Sequence, residues 1–141
     1  VTYVIKTGAV LAISAERQWI GLTSAELITK DTPTTEHVAA FRYAPTVDGT
    51  AFWRTVTCDG STVSAKTSAI AIAASTRYVL TIDSTNPASI TFYINGALAT
   101  AAHTVNLPTT TTVLFSECAV NDVAAGSAKD ILISKIRYET N

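Results

Sequence analysis

Two turn dipeptides flanked by short runs constrain the fold of this chain more than any other feature. Asn95-Gly96 follows the alternating run 90–94, and Asp59-Gly60 follows the run 51–58. Asn-Gly and Asp-Gly accept positive φ at both central positions of a type I′ turn. A further strand-like run comes after each dipeptide, so both predict an antiparallel hairpin.

Further strands are predicted where short runs rich in β-branched and aromatic residues lie between turn residues. They are Thr2 to Thr7, Arg17 to Thr23, His37 to Tyr43, Arg77 to Asp83, Thr111 to Val120 and Asp130 to Glu139. Strands at this spacing are typical of an all-β sandwich or barrel. Of the two we expect the sandwich, an all-β fold of two antiparallel sheets with almost no helix. The chain of 141 residues has no linker or repeat, which predicts a single domain, 1–141.

The last predicted strand alternates strictly, which divides its residues between two faces. Leu132, Ser134, Ile136 and Tyr138 are expected on one face, and Ile131, Ile133, Lys135 and Arg137 on the other.

Composition argues against two classes of partner. The net charge is −1, so no basic excess exists to neutralise a phosphate backbone, and nucleic acid is not expected to bind. No apolar run approaches the ~18 residues of a membrane span, so membrane insertion is not expected either. The two cysteines, Cys58 and Cys118, are expected to be free thiols on strands, with a disulfide as the alternative.

No catalytic or metal-binding set is visible in the sequence. The acidic residues are scattered, with no pair two apart on one strand, and no G-x-S-x-G nucleophile motif occurs. His37 and His103 lack metal-ligand spacing. Oxygen ligands for calcium are present at Asp48 and at 121–122, but without a ligand-loop signature. We therefore expect a protein that is not an enzyme and has no cofactor and no bound metal.

One candidate ligand-binding set follows from the alternation in the run 51–58. If Phe52 and Val56 face the core, Trp53 lies on the outer surface of its sheet, where Arg54 and Tyr43 are candidate neighbours. An exposed indole there needs a cover. A loop or a partner chain would supply it in an assembly, and a sugar ring stacked on the indole would supply it in a lectin.

Several segments together resemble concanavalin A-like (laminin G-like) jelly-roll domains, in particular those of bacteriophage virion proteins. The similar segments are Tyr78-Val79-Leu80-Thr81-Ile82, Ile90 to Leu98, His103 to Pro108, Ile20-Gly21-Leu22-Thr23, Phe52 to Thr57 and Ile131 to Tyr138. They cover most of the chain. Such domains usually carry another strand ahead of the segment that matches Val1 to Thr7, so an N-terminal strand is expected to be missing here.

The resemblance implies a non-catalytic structural module of a phage virion. The module would be a capsid decoration, an appendage or a tail-fibre domain, acting through protein–protein assembly or surface attachment. Its partners would be other virion proteins and further copies of itself, with a trimer expected from the resemblance. The sheet edge beside the first strand would be open and available for pairing. The alternative is a carbohydrate-binding, lectin-like module of a secreted or cell-surface protein, whose partner is a cell-surface glycan.

Overall fold

The computed structural model describes residues 1–9, 16–109, 111–122 and 129–139. Ten strands are formed, and they alternate with short turns and loops. They are β1 (Thr2–Thr7), β2 (Glu16–Thr23), β3 (His37–Tyr43), β4 (Phe52–Asp59), β5 (Val63–Ala71), β6 (Arg77–Asp83), β7 (Thr91–Ile94), β8 (Ala97–Leu98), β9 (Phe115–Asp122) and β10 (Ile131–Arg137). The one helix of the described residues is the four-residue α1, Pro45–Asp48.

The strands form two antiparallel five-stranded sheets packed as a β-sandwich, which confirms the predicted fold class. The first sheet has the order β10-β1-β6-β7-β8, and the second has the order β5-β4-β3-β2-β9. None of the described helices is long and apolar enough to cross a membrane.

Both predicted hairpins form, by different turns. At Asn95-Gly96 both residues have positive φ, 53° and 81°, as a type I′ turn requires, and β7 pairs with β8 across them. At Asp59-Gly60 only the glycine has positive φ. There the Asp59 carboxylate accepts hydrogen bonds from the backbone N–H groups of Ser61 and Thr62, which makes a longer loop than the dipeptide predicts.

The main core lies between the sheets, and a second core lies on the outer face of the second sheet. Tyr3, Phe41 and Phe92 are fully buried in the first. The second contains Trp19 of β2, Val56 of β4 and further residues of β3 and β4, and Leu27 from the 24–36 loop packs on it. The second sheet therefore buries apolar side chains on both faces.

Strand β1 lies inside the first sheet, which corrects the expectation that the edge beside it is open. It pairs with β6 on one side and with β10 on the other.

A β-bulge in β10 corrects the predicted division of its faces. Val4 of β1 pairs with Lys135 and Ile5 with Ile133, so Ser134 has no partner in the ladder. One extra residue breaks the alternation. As a result, Ile131, Ile133 and Ile136 lie opposite the inward-facing residues of β1, which are Thr7, Ile5 and Tyr3.

The two sides of the sandwich differ. On one side the loop 99–105 bridges the sheets, because Lys66 Nζ of β5 donates to the carbonyls of Ala101 and Ala102 at 3.1 and 2.6 Å. On the other side the edge strands β9 and β10 lie next to each other, and no described strand pairs with their outer edges. We call the pair β9 and β10 the open edge.

Candidate functional site

Trp53 lies in the core between the sheets, so the predicted assignment of the β4 faces is wrong. Its side chain is 0% exposed, whereas Phe52 is 38% exposed. The indole makes edge-to-face contacts with Phe41 and Tyr43 at 6.4 Å and with Tyr78 at 5.6 Å between ring centroids. With the ring buried, Trp53 offers no surface for a sugar to stack on.

The error has a physical cause in the two cores. Val56 is buried, as expected, but under the 24–36 loop on the outer face of the sheet, and Cys58, which was expected to be half-buried, is fully buried beside it. Thr55 and Thr57, whose polarity suggested solvent, point between the sheets because their hydroxyls bind the ring of His103. The residues of β4 do alternate between two faces, as predicted, but the face that was expected to point outward points to the main core.

Tyr43 and Arg54, the other two candidate ligand-binding residues, are not brought together at a surface. Tyr43 is buried in the main core beside Trp53, and burial raises the pKa of its hydroxyl. Arg54 lies on the opposite face of the sheet and is half-buried. Its Nη1 binds Asp48 Oδ1 at 2.8 Å. The structure therefore forms no joint site from Trp53, Arg54 and Tyr43.

Asp48 is the centre of a buried ion-pair cluster. Its side chain is 2% exposed and binds the guanidinium groups of both Arg42 and Arg54. Arg42 in turn stacks over Trp19, with its guanidinium carbon 5.4 Å from the ring centroid. Two cations on one carboxylate leave it unsuited to a calcium ion, so the cluster acts as a clamp between β3, β4 and α1.

The other candidate cation ligands offer no assembled site. Asn121 donates its side-chain N–H to the carbonyl of Ile28, and the side chain of Asp122 lies outside what the structure describes. Across the described ranges no group of three or more His, Cys, Asp or Glu residues is placed to hold a metal ion.

His103 joins the two sheets from a loop position. It forms an isolated bridge with Ile90 of the first sheet, and its ring nitrogens lie 2.8 and 3.0 Å from the hydroxyls of Thr55 and Thr57 in the second. Thr57 also donates to the carbonyl of Val105, which leaves its oxygen to accept from Nδ1–H. Burial and the nearby Lys66 lower the pKa of His103 to about 4, so the ring is neutral.

Both cysteines are free thiols on strands, as expected. Cys58 is buried on the outer face of β4, and Cys118 is half-buried on the inner face of β9. Burial raises the pKa of Cys118 to about 11, so it is not a thiolate near neutral pH.

A small pocket lies at one end of the sandwich, between the loops 84–90 and 107–114. Its volume is about 230 Å³, and Leu22, Ala39 and Ile90 lie among its apolar lining. No charged side chain lines it.

Several exposed large apolar side chains lie on or next to the open edge. The inward row of β10 continues to Tyr138, whose hydroxyl binds Ser116 of β9. These side chains nevertheless remain in contact with solvent: Ile133 is 46% exposed, Ile136 38% and Tyr138 60%. A shallow groove of about 580 Å³, lined in part by Phe115, continues this surface along β9.

Sequence reasoning missed this site because the bulge at Ser134 cannot be read from the alternation. The signal that could have found it is composition. Three isoleucines, a leucine and a tyrosine in the last strand exceed what one buried face of an edge strand needs.

Searches against protein-family models, curated proteins and solved structures found no match to this chain. The similarity to phage jelly-roll domains therefore remains a resemblance of the segments quoted above.

Proposed function

We propose that this chain is a non-catalytic structural module of a phage virion, a capsid decoration, an appendage or a tail-fibre domain, that works by binding other protein chains. The observation that carries the proposal is the open edge. Monomeric proteins rarely leave a contiguous apolar surface of this kind beside an unpaired strand, because it favours association. The phage context is supported by the segments that resemble virion jelly-roll domains.

The buried positions of Trp53 and Tyr43 weaken the lectin-like alternative. A sugar-binding platform needs an aromatic face in solvent with polar groups around it. The cluster that contains Arg54 is likewise closed by its own ion pairs. An enzyme is the least supported class, because the ionisable residues with shifted pKa values lie apart and each has a structural partner or a structural cause.

Quantitative mass spectrometry of purified particles from the source phage tests the proposal. We expect the chain at a constant copy number relative to the major capsid protein across preparations. Its absence from particles, together with saturable binding on a glycan array, would support the lectin-like module. Steady turnover of a glycan, ester or peptide by the pure chain would contradict a non-catalytic role.

A further inference from the structure

We propose that the partner of the open edge is a second copy of this chain, bound by antiparallel pairing of β10 with β10. The two-fold axis passes between Ile133 and Ser134 and is perpendicular to the sheet. Pairing of this kind joins the two first sheets into one ten-stranded sheet. This inference rests on the proposed function, since it names the partner of the same surface.

The backbone of β10 supplies the first reason. The strand pairs with β1 on one side only. Half of its N–H and C=O groups therefore point away from the sheet, and an antiparallel strand satisfies them.

The directions of the side chains supply the second reason. A two-fold axis perpendicular to a sheet keeps inward residues inward, so residues directly opposite each other must face the same way. In β10 the bulge shifts the alternation by one residue, so the matched pairs that span it have numbers that differ by an odd number. Ile131 and Ile136 both face inward, and Leu132 and Lys135 both face outward, as their partners in β1 show. The proposed axis places Ile131 opposite Ile136 of the copy and Leu132 opposite Lys135.

Charge selects this register. Asp130, the residue before β10, falls opposite Arg137 of the copy, and symmetry makes this attraction occur twice. Arg137 also pairs with Glu139 of its own chain, but both side chains are exposed, so a second carboxylate can reach the guanidinium. Moving the copy by two residues also matches the faces, but that register sets Asp130 opposite Glu139 and brings two carboxylates together. The bulge and the outward Lys135, features that often protect an edge strand, are here compatible with one self-pairing register.

The exposed apolar row supplies the third reason. Ile133 and Ile136 point towards the interior of the sandwich, but both side chains remain partly exposed to solvent at its edge. In the dimer the inward-facing apolar side chains of the two β10 strands lie side by side, so each set reduces the exposure of the other to water. The groove along β9 lies beside this seam, so the two second sheets approach there as well.

The oligomeric state of the full chain, measured by sedimentation equilibrium, is the first test. We expect a reversible dimer. Asp130→Arg and Arg137→Asp should each raise the dimer dissociation constant about tenfold, because each places like charges opposite at two symmetric positions. The double variant D130R/R137D should restore wild-type affinity, and Arg77→Asp on β6 is the control for a change in net charge. A wild-type monomer at every concentration, or a closed trimer, would overturn the proposal.

Cysteine cross-linking tests the register in a Cys118→Ser background. Residues directly opposite in an antiparallel pair have Cα atoms about 4.5–5.5 Å apart, within the range that a disulfide spans. Leu132→Cys with Lys135→Cys should form covalent dimers on mild oxidation. Leu132→Cys with Arg137→Cys should not, because that pair is opposite only in the register shifted by two residues. Cross-linking of the second pair instead of the first would overturn the register.

Failure of this inference is distinguishable from failure of the proposed function. A chain that is monomeric in solution but present in particles at constant copy number keeps its structural role, and its edge then binds a different protein. A chain that dimerises as described but is absent from particles keeps the dimer and loses the virion role.

Discussion

The ring of His103 links the two sheets, and burial favours its neutral form. Both of its nitrogens are used by threonine hydroxyls, and Phe92 packs against the ring with 5.3 Å between centroids. No described carboxylate contacts the ring to stabilise a positive charge. Protonation of the ring therefore lowers the free energy of unfolding.

At the residue scale, this predicts that stability falls in mild acid. The pKa of His103 is lowered from 6.5 to about 4 in the folded chain. Protonation therefore favours the unfolded state. The neutral ring of His103 makes its full contribution to the free energy of unfolding above pH 6.5. As the pH falls towards 4, this contribution is lost, and the free energy of unfolding decreases by about 2–3 kcal/mol. Urea unfolding at a series of pH values measures it, and His103→Gln should abolish this loss of stability between pH 6.5 and 4.5.

The loss of stability between pH 6.5 and 4.5 is assigned to His103, because Glu36 changes the stability only at lower pH. Burial would raise the pKa of Glu36, but hydrogen bonds from Lys30, Thr34 and Thr35 outweigh it and lower the value to about 2. Its stabilising contribution is therefore lost only below about pH 4.5. A His103→Gln profile as steep as that of the wild type between pH 6.5 and 4.5 would refute the assignment.

The neighbouring positions Trp53 and Phe52 give a second residue-scale prediction. Trp53→Ala should reduce the free energy of unfolding by about 3–5 kcal/mol, because it opens a cavity in the main core. Phe52→Ala, the matched control on the exposed face, should cost less than about 1 kcal/mol. Denaturant unfolding of both variants measures the difference. Equal losses would contradict the orientation of β4.

At the scale of the element, the bulge in β10 shifts the alternation of faces by one residue. Ser134 Oγ donates to the carbonyl of Val4 at 3.0 Å, so the bulge residue is held by the neighbouring strand. Without the extra residue the strand could pair with β1 in a regular ladder, with the same residues facing inward, so the bulge is dispensable for packing on β1. It is also dispensable for self-pairing, since Ile131 would still lie opposite Ile136 of the copy and Leu132 opposite Lys135.

Deletion of Ser134 tests both statements. We expect the deleted chain to remain folded, with a circular dichroism spectrum of β type and a loss of stability of about 1 kcal/mol for one hydrogen bond. We also expect it to dimerise, because the deletion keeps Ile131 opposite Ile136 of the copy and Leu132 opposite Lys135, with Ile133 at the two-fold axis. A deleted chain that unfolds would contradict the first statement, and one that is folded but monomeric would contradict the second.

The two glycine turns give a prediction about the hairpins. Gly96→Ala and Gly60→Ala should each lose about 1–2 kcal/mol, because both glycines have positive φ. Gly60→Ala should lose more, since an added Cβ would lie 2.8 Å from Nε2 of His37, whereas nothing lies within 4 Å of one at 96. Thermal unfolding ranks the two variants. A larger loss at 96 would contradict the packing of His37 against the turn.

At the scale of the whole molecule, the sequence predicted the sandwich because turn chemistry and period-two runs are local signals. Thr2–Thr7, His37–Tyr43 and Arg77–Asp83 have the predicted bounds, whereas the strand predicted from Thr111 begins at Phe115. Which face of a strand is buried is not a local property. In β4, Val56 is buried because the 24–36 loop forms a second core on the outer face of the sheet. In β10, the unpaired Ser134 moves the residues that follow it to the face opposite the one predicted.

The same limit explains the candidate site. Trp53 and Tyr43 were selected as large aromatic residues, but their exposure depends on which sheet lies above them. The open edge depends on the order of strands in each sheet, which brings β9 and β10 to the same side although each belongs to a different sheet. Neither property can be read from the spacing of residues along the chain.

The central claim is that β10 is the strand through which this domain assembles. Amide hydrogen–deuterium exchange on the full chain, compared between dilute and concentrated solutions, tests it most directly. We predict slower exchange at high concentration within 131–137, with no change in β5 and β8, the edge strands on the closed side of the sandwich. Exchange in β10 that is independent of concentration, or protection of β5 or β8 instead, would contradict the claim.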